Sequence, residues 1–411
     1  MSSSLLRSHL RPGIICLVLC SMLAPASPAH AEGWLRKFFK RDKPAGGQVS
    51  AQMDSVRTLS IEPLSGGTGT SAGVALAEYF EKHPEVALVE RSSARYLVSG
   101  SSVGGRISAT LKDRYGKVLF ERSYGAPGLA ENVESAADDI VLAITGKPGT
   151  ASSRIAFVSN ASGTKQIYVC EPDGGGLYRV TSHAFGAVSP ALAPDGSLLA
   201  YTSYEDGFPA VMVVDLGGGM SQQLASTPGM NSGVAFAPEE RRAAVTLSFL
   251  GNPEIFVLDL GSNRAICVTE SQGVPTSPAW HPNGRLLMYA SDEGDGDGTQ
   301  LYVVQLDTDA PARRWSSGAP EAFDPEWSPD GQTIAFTARI GGDWAIALKP
   351  YDGGRMSVLQ RGGAQHPTWS PDGRSVAYVQ NGQLWVHDVT TGKRRSILRG
   401  LGQISEPRWM R

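Results

Sequence analysis

The chain is short of several things that would mark out particular kinds of protein. It holds 4 cysteines in 411 residues, and Cys16 and Cys20 fall in an N-terminal apolar stretch. Only Cys170 and Cys267 remain, in different repeats, which excludes a disulfide framework and leaves two small apolar residues. Charge of one sign is also scarce: 37 bases stand against 40 acids, a net charge of −3. A general nucleic-acid binder carries a basic footprint, so that class is excluded. Beyond the N-terminal stretch no apolar run is long enough to span a bilayer.

The N-terminal stretch reads as a secretory signal. Arg7 and Arg11 form its positive region, Gly13 to Leu23 its apolar core, and Ala29-His30-Ala31 its cleavage site. Cleavage after residue 31 leaves 35 bases and 40 acids, a charge of −5. Leu19 before Cys20 does not suit a lipid-attachment site. Residues 32–53 form a basic and aromatic leader, W-L-R-K-F-F-K-R-D-K-P, running into Pro44-Ala45-Gly46-Gly47. Trp34, Leu35, Phe38 and Phe39 would share one helical face. The leader is open to three readings: a solvated tether, a dock for an acidic partner, or a peripheral membrane contact through residues 34–41.

Residues 54–146 read as a small α/β domain. Strands are expected at Val56–Ile61, Val86–Val89, Tyr96–Ser99, Arg106–Lys112 and Val118–Ser123, the last two joined by a turn at Asp113–Gly116. A helix over Ser71–Lys82 would turn Val74, Ala77 and Phe80 inward. A second, Leu129–Thr145, would bury Val133, Ala137, Ile140 and Ile144 and expose Glu131, Glu134 and Asp138. Residues 147–153 form a linker.

From residue 154 a unit repeats. Its clearest copy is D-P-E-W-S-P-D-G-Q-T-I-A-F-T-A, Asp324 to Ala338: an inner strand, a Pro-Asp-Gly turn and an apolar second strand. The bulky residue before the turn recurs at Leu192, Phe236, Trp280, Trp327, Trp369 and Trp409, at spacings of 44, 44, 47, 42 and 40. Four short strands at that period are the signature of propeller blades. The copy at Arg154 lacks its inner strand and the copy at Pro407 has only that strand. The two ends therefore complete one blade of six, and residues 407–411 close the ring. The fold class is an all-β six-bladed propeller over residues 154–411 behind the α/β domain.

With secretory signal, small α/β domain, the junction D-I-V-L-A-I-T-G-K-P-G-T-A-S-S-R-I-A-F-V-S and the closing P-R-W, the chain resembles the TolB family of the Tol–Pal cell-envelope system. That resemblance implies a periplasmic, non-enzymatic and monomeric adaptor without cofactor. It implies a propeller that binds the Pal lipoprotein and an N-terminal segment that engages the inner-membrane protein TolA. A propeller hydrolase or lyase acting on a polysaccharide or peptide is the alternative, and a binding protein for a small ligand in the channel is a third option.

Three patterns could carry chemistry. Gly69-Thr70-Ser71-Ala72-Gly73 matches a nucleophile elbow, but His83 is the domain's one histidine, so Ser71 reads instead as a helix N-cap. In Asp292-Glu293-Gly294-Asp295-Gly296-Asp297-Gly298 a calcium-loop alignment puts Val304 where a closing Glu is needed, which leaves a solvated acidic turn. The third is a collar where the inner strands begin: Ser189, Ser232, Ser277, Asp324, His366 and Glu406. Asp324, His366 and Glu406 suit an acid/base or metal cluster by type, and a hydrated collar with no shared ion is the plainer reading. The loops on the same face add Phe185, Met230, Asn231 and Phe323. Together with Ser189, Ser277, Asp324, His366 and Glu406 these are the expected partner-binding residues.

Overall fold

The computed structural model describes residues 57–410 except 239–240, 263 and 295–297. The signal-like segment and the leader lie outside the described residues, as do Asp295, Gly296 and Asp297 of the acidic turn. The chain divides after Ser153 into two compact units.

The first unit is a five-stranded sheet under two helices. Its strands are β1 (Arg57–Ile61), β2 (Val86–Leu88), β3 (Tyr96–Val103), β4 (Arg106–Asp113) and β5 (Val118–Tyr124), in the order β2-β1-β3-β4-β5. β1 pairs in parallel with β2 and β3, while β3, β4 and β5 form an antiparallel meander. Helix α1 (Gly69–Glu81) begins two residues before the expected start, with Thr68 rather than Ser71 as its N-cap. Thr68 is held from the side, its hydroxyl 2.7 Å from that of Ser102. The buried row is Ala72, Leu76 and Phe80 rather than Val74, Ala77 and Phe80, and Val74 is 52% exposed. Spacing i, i+4 now carries the apolar stripe.

Helix α2 (Leu129–Thr145) buries Val133, Ala137, Ile140 and Ile144 against the sheet and stops at Gly146, whose φ of 75° lets its N–H reach Leu142. Asp138 does not face open water. Its carboxylate takes the Ala151 and Ser152 N–H groups at 2.7 and 2.9 Å and so holds the end of the unit onto the helix. Burial pushes its pKa up, and the bonds from Ser152 and Ala151 only partly offset this.

The second unit is a ring of six four-stranded antiparallel sheets. Their inner strands are Ala187–Leu192, Asn231–Phe236, Thr276–Trp280, Glu321–Trp327, Ala364–Trp369 and Ile404–Trp409, numbered here as blades 1 to 6. Blade 6 takes its inner strand from the C-terminus and its other three from Ile155–Ser159, Gln166–Cys170 and Tyr178–Arg179. Trp409 stands opposite Ile155, and Ile404 opposite Ser159. Each second strand has a blade on either side of it. Ile155–Ser159 and Leu198–Ser203 are therefore buried throughout and read as unbroken apolar runs rather than alternating ones.

The repeated turn explains its own composition. Asp330 accepts from the Ser328 hydroxyl at 2.5 Å and from Gln332 N at 3.0 Å, and Gly331 takes φ 73°. Ser370, Asp372, Arg374 and Gly373 repeat the arrangement in blade 5. The buried tryptophans join neighbouring blades: Trp280 Nε1 donates to the Ala235 carbonyl at 2.9 Å and Trp327 Nε1 to that of Ala279 at 3.2 Å. Cys170 is buried and unbridged, its thiol pKa pushed up to about 12 by burial. Cys267 is also unbridged and only partly buried. Among the described residues no helix is long and apolar enough to cross a membrane.

Ring closure rests on one short strand, so Trp409→Ala is expected to cost about 3–5 kcal/mol. Urea unfolding followed by tryptophan emission would measure it. A loss below about 1 kcal/mol, the size of an ordinary surface change, would mean that the ring is held elsewhere.

Candidate functional site at the propeller mouth

Every inner strand carries the same irregularity. Ser189-Pro190, Gly233-Val234, Ser277-Pro278, Asp324-Pro325, His366-Pro367 and Glu406-Pro407 each oppose a single residue of the second strand. This is a β-bulge, and the first residue of each pair takes a left-handed φ between 46° and 67°. For a non-glycine residue that conformation costs about 1–2 kcal/mol. The bulge places these residues around a cavity of about 200 Å3, together with Arg408.

One member of the expected collar is corrected. In blade 2 the register puts Ser232 opposite Thr246, inside the regular ladder, and Gly233 in the bulge. The blade has no proline to mark the position, since Val234 stands where the others have one. Arg408 is an addition to the collar, and it follows the proline of its strand rather than preceding it.

Asp324 is the hub of the collar. It accepts from the Ser277 hydroxyl at 3.1 Å and from the Thr337 hydroxyl at 3.1 Å, and it pairs with His366 Nδ1 at 3.1 Å. Thr337 in turn accepts the His366 N–H at 3.0 Å. Across the ring, Glu406 takes the Ser189 N–H at 2.7 Å. These bonds stitch blade 3 to 4, 4 to 5 and 6 to 1. The other seams have their own: Thr202 donates to the Asn231 carbonyl at 3.4 Å, Thr246 to that of Pro275 at 3.3 Å, and Trp409 N donates to Thr368 at 2.9 Å.

Burial opposes the Asp324 charge, yet the His366 imidazolium, the bond to it, Arg408 and the Ser277 hydroxyl hold the carboxyl well below the usual carboxylate range. Burial likewise works against a charged His366, but Asp324 and Glu406 outweigh it and raise the pKa. The order of the three groups matters. In an acyl-transfer triad the imidazole lies between hydroxyl and carboxylate and takes the hydroxyl proton. Here the carboxylate lies between, so the Ser277 proton points at Asp324 and the imidazole does not activate it. Among the described residues no three metal-ligating side chains cluster so as to hold an ion.

The surrounding rim is apolar on one side. Strand direction brings two loop sets to this face: those entering each inner strand and those between second and third strands. Phe185 is 72% exposed in the first set; Phe208 and Leu250, in the second, are 75% and 57% exposed. The loops are braced against each other, with Ala184 N donating to Glu205 at 2.8 Å and Tyr204 N to the Gly186 carbonyl at 3.3 Å. Sequence reasoning took only the first set and so missed Phe208 and Leu250. Met230 is half-buried, its N–H on the Ser248 hydroxyl at 2.7 Å. Phe323 is also half-buried and packs edge-on against Trp344 at 5.2 Å. Asn231 is not on the surface at all. It is fully buried, and its amide accepts from Thr227 N and donates to the Thr227 carbonyl. Its polarity serves to close a loop. Of the acidic turn, Asp292 accepts the Val274 N–H at 2.7 Å and Glu293 the Ser271 hydroxyl at 2.5 Å.

The Asp324–His366 pair has a defined pH window. The raised His366 pKa stabilises the fold fully below the unfolded histidine value and is lost as pH rises through the folded one. The lowered Asp324 pKa stabilises above the unfolded aspartate value and is lost as pH falls. Asp324→Asn should therefore lose about 3 kcal/mol between roughly pH 4 and 6.5, and less at higher pH. Urea midpoints of both chains across pH 4 to 9 would show it, and a pH-independent difference would contradict an ionic pair.

A family profile described as TolB beta propeller domain matches residues 141–411. The chain is 39% identical over 105 residues to a protein named TolB homolog from Chlorobium chlorochromatii, a match covering 24% of each chain. It is 44% identical over 62 residues to the Tol-Pal system protein TolB of Desulfosudis oleivorans, covering 15% of this chain and 14% of that one. The matched stretches thus span a quarter or less of these relatives' length. The crystal structure of TolB from Acinetobacter baumannii has the same fold, with a TM-score of 0.67 at 23% identity over 87% of this chain and 97% of that one. With the profile matched over well more than half of its residues, the chain belongs to the TolB beta-propeller family.

Proposed function

We propose that the protein is a periplasmic, non-catalytic adaptor of a Tol–Pal-like system, and that its propeller mouth binds a Pal-like, peptidoglycan-associated lipoprotein in support of outer-membrane integrity, including during cell division. The observation that carries this reading is the exposure of Phe185, Phe208 and Leu250 on loops at one face of the ring. Large apolar side chains on braced loops are costly to leave in water and are where partners dock. The Ser277–Asp324–His366 order supports a binding role over hydrolysis. A second contact, of the basic leader at residues 32–53 with a TolA-like inner-membrane protein, belongs to the same proposal.

The test is a titration of a purified Pal-like lipoprotein domain against the chain and its Phe185→Ser/Phe208→Ser variant. The double change should weaken binding at least tenfold, about 1.4 kcal/mol, with an unchanged unfolding midpoint. Asn231→Ala should do the reverse, lowering stability by about 1–3 kcal/mol because it leaves buried loop groups unpaired. Equal affinity of the double variant and the parent would move the partner to another surface.

A further inference from the structure

The channel cavity has ionic valence that the protein does not use. Glu406 spends Oε2 on the Ser189 N–H, and among the described residues nothing bonds its Oε1. The Arg408 side chain makes one hydrogen bond among the described residues, from Nη1 to the Pro407 carbonyl at 3.1 Å. His366 gives Nδ1 to Asp324, which leaves Nε2 without a protein partner among the described residues. All three side chains line the same cavity. Blades 4, 5 and 6 thus present an acid, an imidazole and an acid with an arginine, while blades 1 to 3 present Ser189, Gly233 and Ser277. The small residues leave the room and the charged ones leave the bonding positions.

We propose that this cavity binds a small zwitterion of the α-amino acid class, its carboxylate on Arg408 and His366 Nε2 and its ammonium on Glu406 Oε1. The charge count selects this class. The collar sets two acidic side chains, Asp324 and Glu406, against two basic ones, His366 and Arg408, and a zwitterion keeps that balance. A bare carboxylate would face the open oxygen of Glu406, and a bare amine would face the arginine. Either would leave one buried charge uncompensated. A guanidinium also prefers a planar carboxylate, which it grips with two parallel bonds. Size agrees, since a cavity of about 200 Å3 has room for glycine or alanine. The apolar part of the lining is limited to Pro190, Val234 and Pro278, small surfaces that suit a short aliphatic side chain and no larger one. This site does not require the docking of a protein partner.

The experiment titrates the purified chain with glycine, L-alanine, acetate and methylammonium, reading heat and the His366 ring resonances. Glycine or alanine should saturate with a Kd on the order of 1 mM or tighter. Acetate and methylammonium should bind at least tenfold more weakly. Glu406→Gln keeps the Ser189 bond and should cost amino-acid binding tenfold or more while improving acetate. Arg408→Lys keeps the charge but loses the fork, and should weaken both carboxylates. Unfolding midpoints of both variants guard against a folding defect, and either variant alone suffices if the other is unstable. Acetate binding as well as glycine, or no saturable response from either amino acid, would overturn the proposal.

Discussion

Two residues set against one, in every inner strand, is the constraint from which the rest of the propeller mouth follows. The extra residue cannot stay in the ladder, so the backbone turns left-handed and its side chain faces the axis. A proline follows in five of the six blades. The bulge is where a proline does no harm, because the missing N–H had no ladder partner to lose. The conformational cost recurs at Ser189, Ser277, Asp324, His366 and Glu406, and a closed ring over-determines it. Strain here belongs to the architecture, since serine bears it as fully as histidine does.

What the blades do with that position differs. Blades 4 to 6 fill it with charge, and blades 1 to 3 with serine and glycine. The charged half is self-consistent: Asp324 is shielded from the cost of burial by the imidazolium and two hydroxyls it touches. On the outer rim the emphasis reverses, for Phe185, Phe208 and Leu250 all rise from blades 1 and 2. One face therefore offers two chemistries, a polar well and an apolar arc. A partner resting on the arc and a small ligand in the well need not compete for the same atoms.

Much of this was legible in the chain, and the failures are instructive. Four tryptophans and two other bulky residues at a steady period announce the blade count, because each must fill the same interblade gap. Helix α2 was legible to the residue, since its stripe and Gly146 agree. The start of helix α1 is not legible to the residue, because Gly66, Gly67 and Gly69 offer no capping side chain and Thr68, at the cap, bonds the Ser102 hydroxyl of a neighbouring strand. Asp138 looked solvent-facing by periodicity, but the returning chain covers it. Gly233 rather than Ser232 takes the collar position because the register of blade 2 is decided by its pairing with the second strand, and no proline marks it in the sequence.

The sequence alone determined the repeat, the turns and the polar character of the collar, since these depend on local backbone preference and on a period that survives loop variation. Tertiary structure alone decided which polar residue meets which. Ser277, Asp324 and His366 come from three blades, and only ring closure by Ile404–Trp409 sets their distances and the order Ser–Asp–His. It also decided that Asn231 closes a loop inside while Phe208 stands in water. Exposure and long-range hydrogen bonding are properties of packed neighbours, and no residue carries its neighbours in its own name.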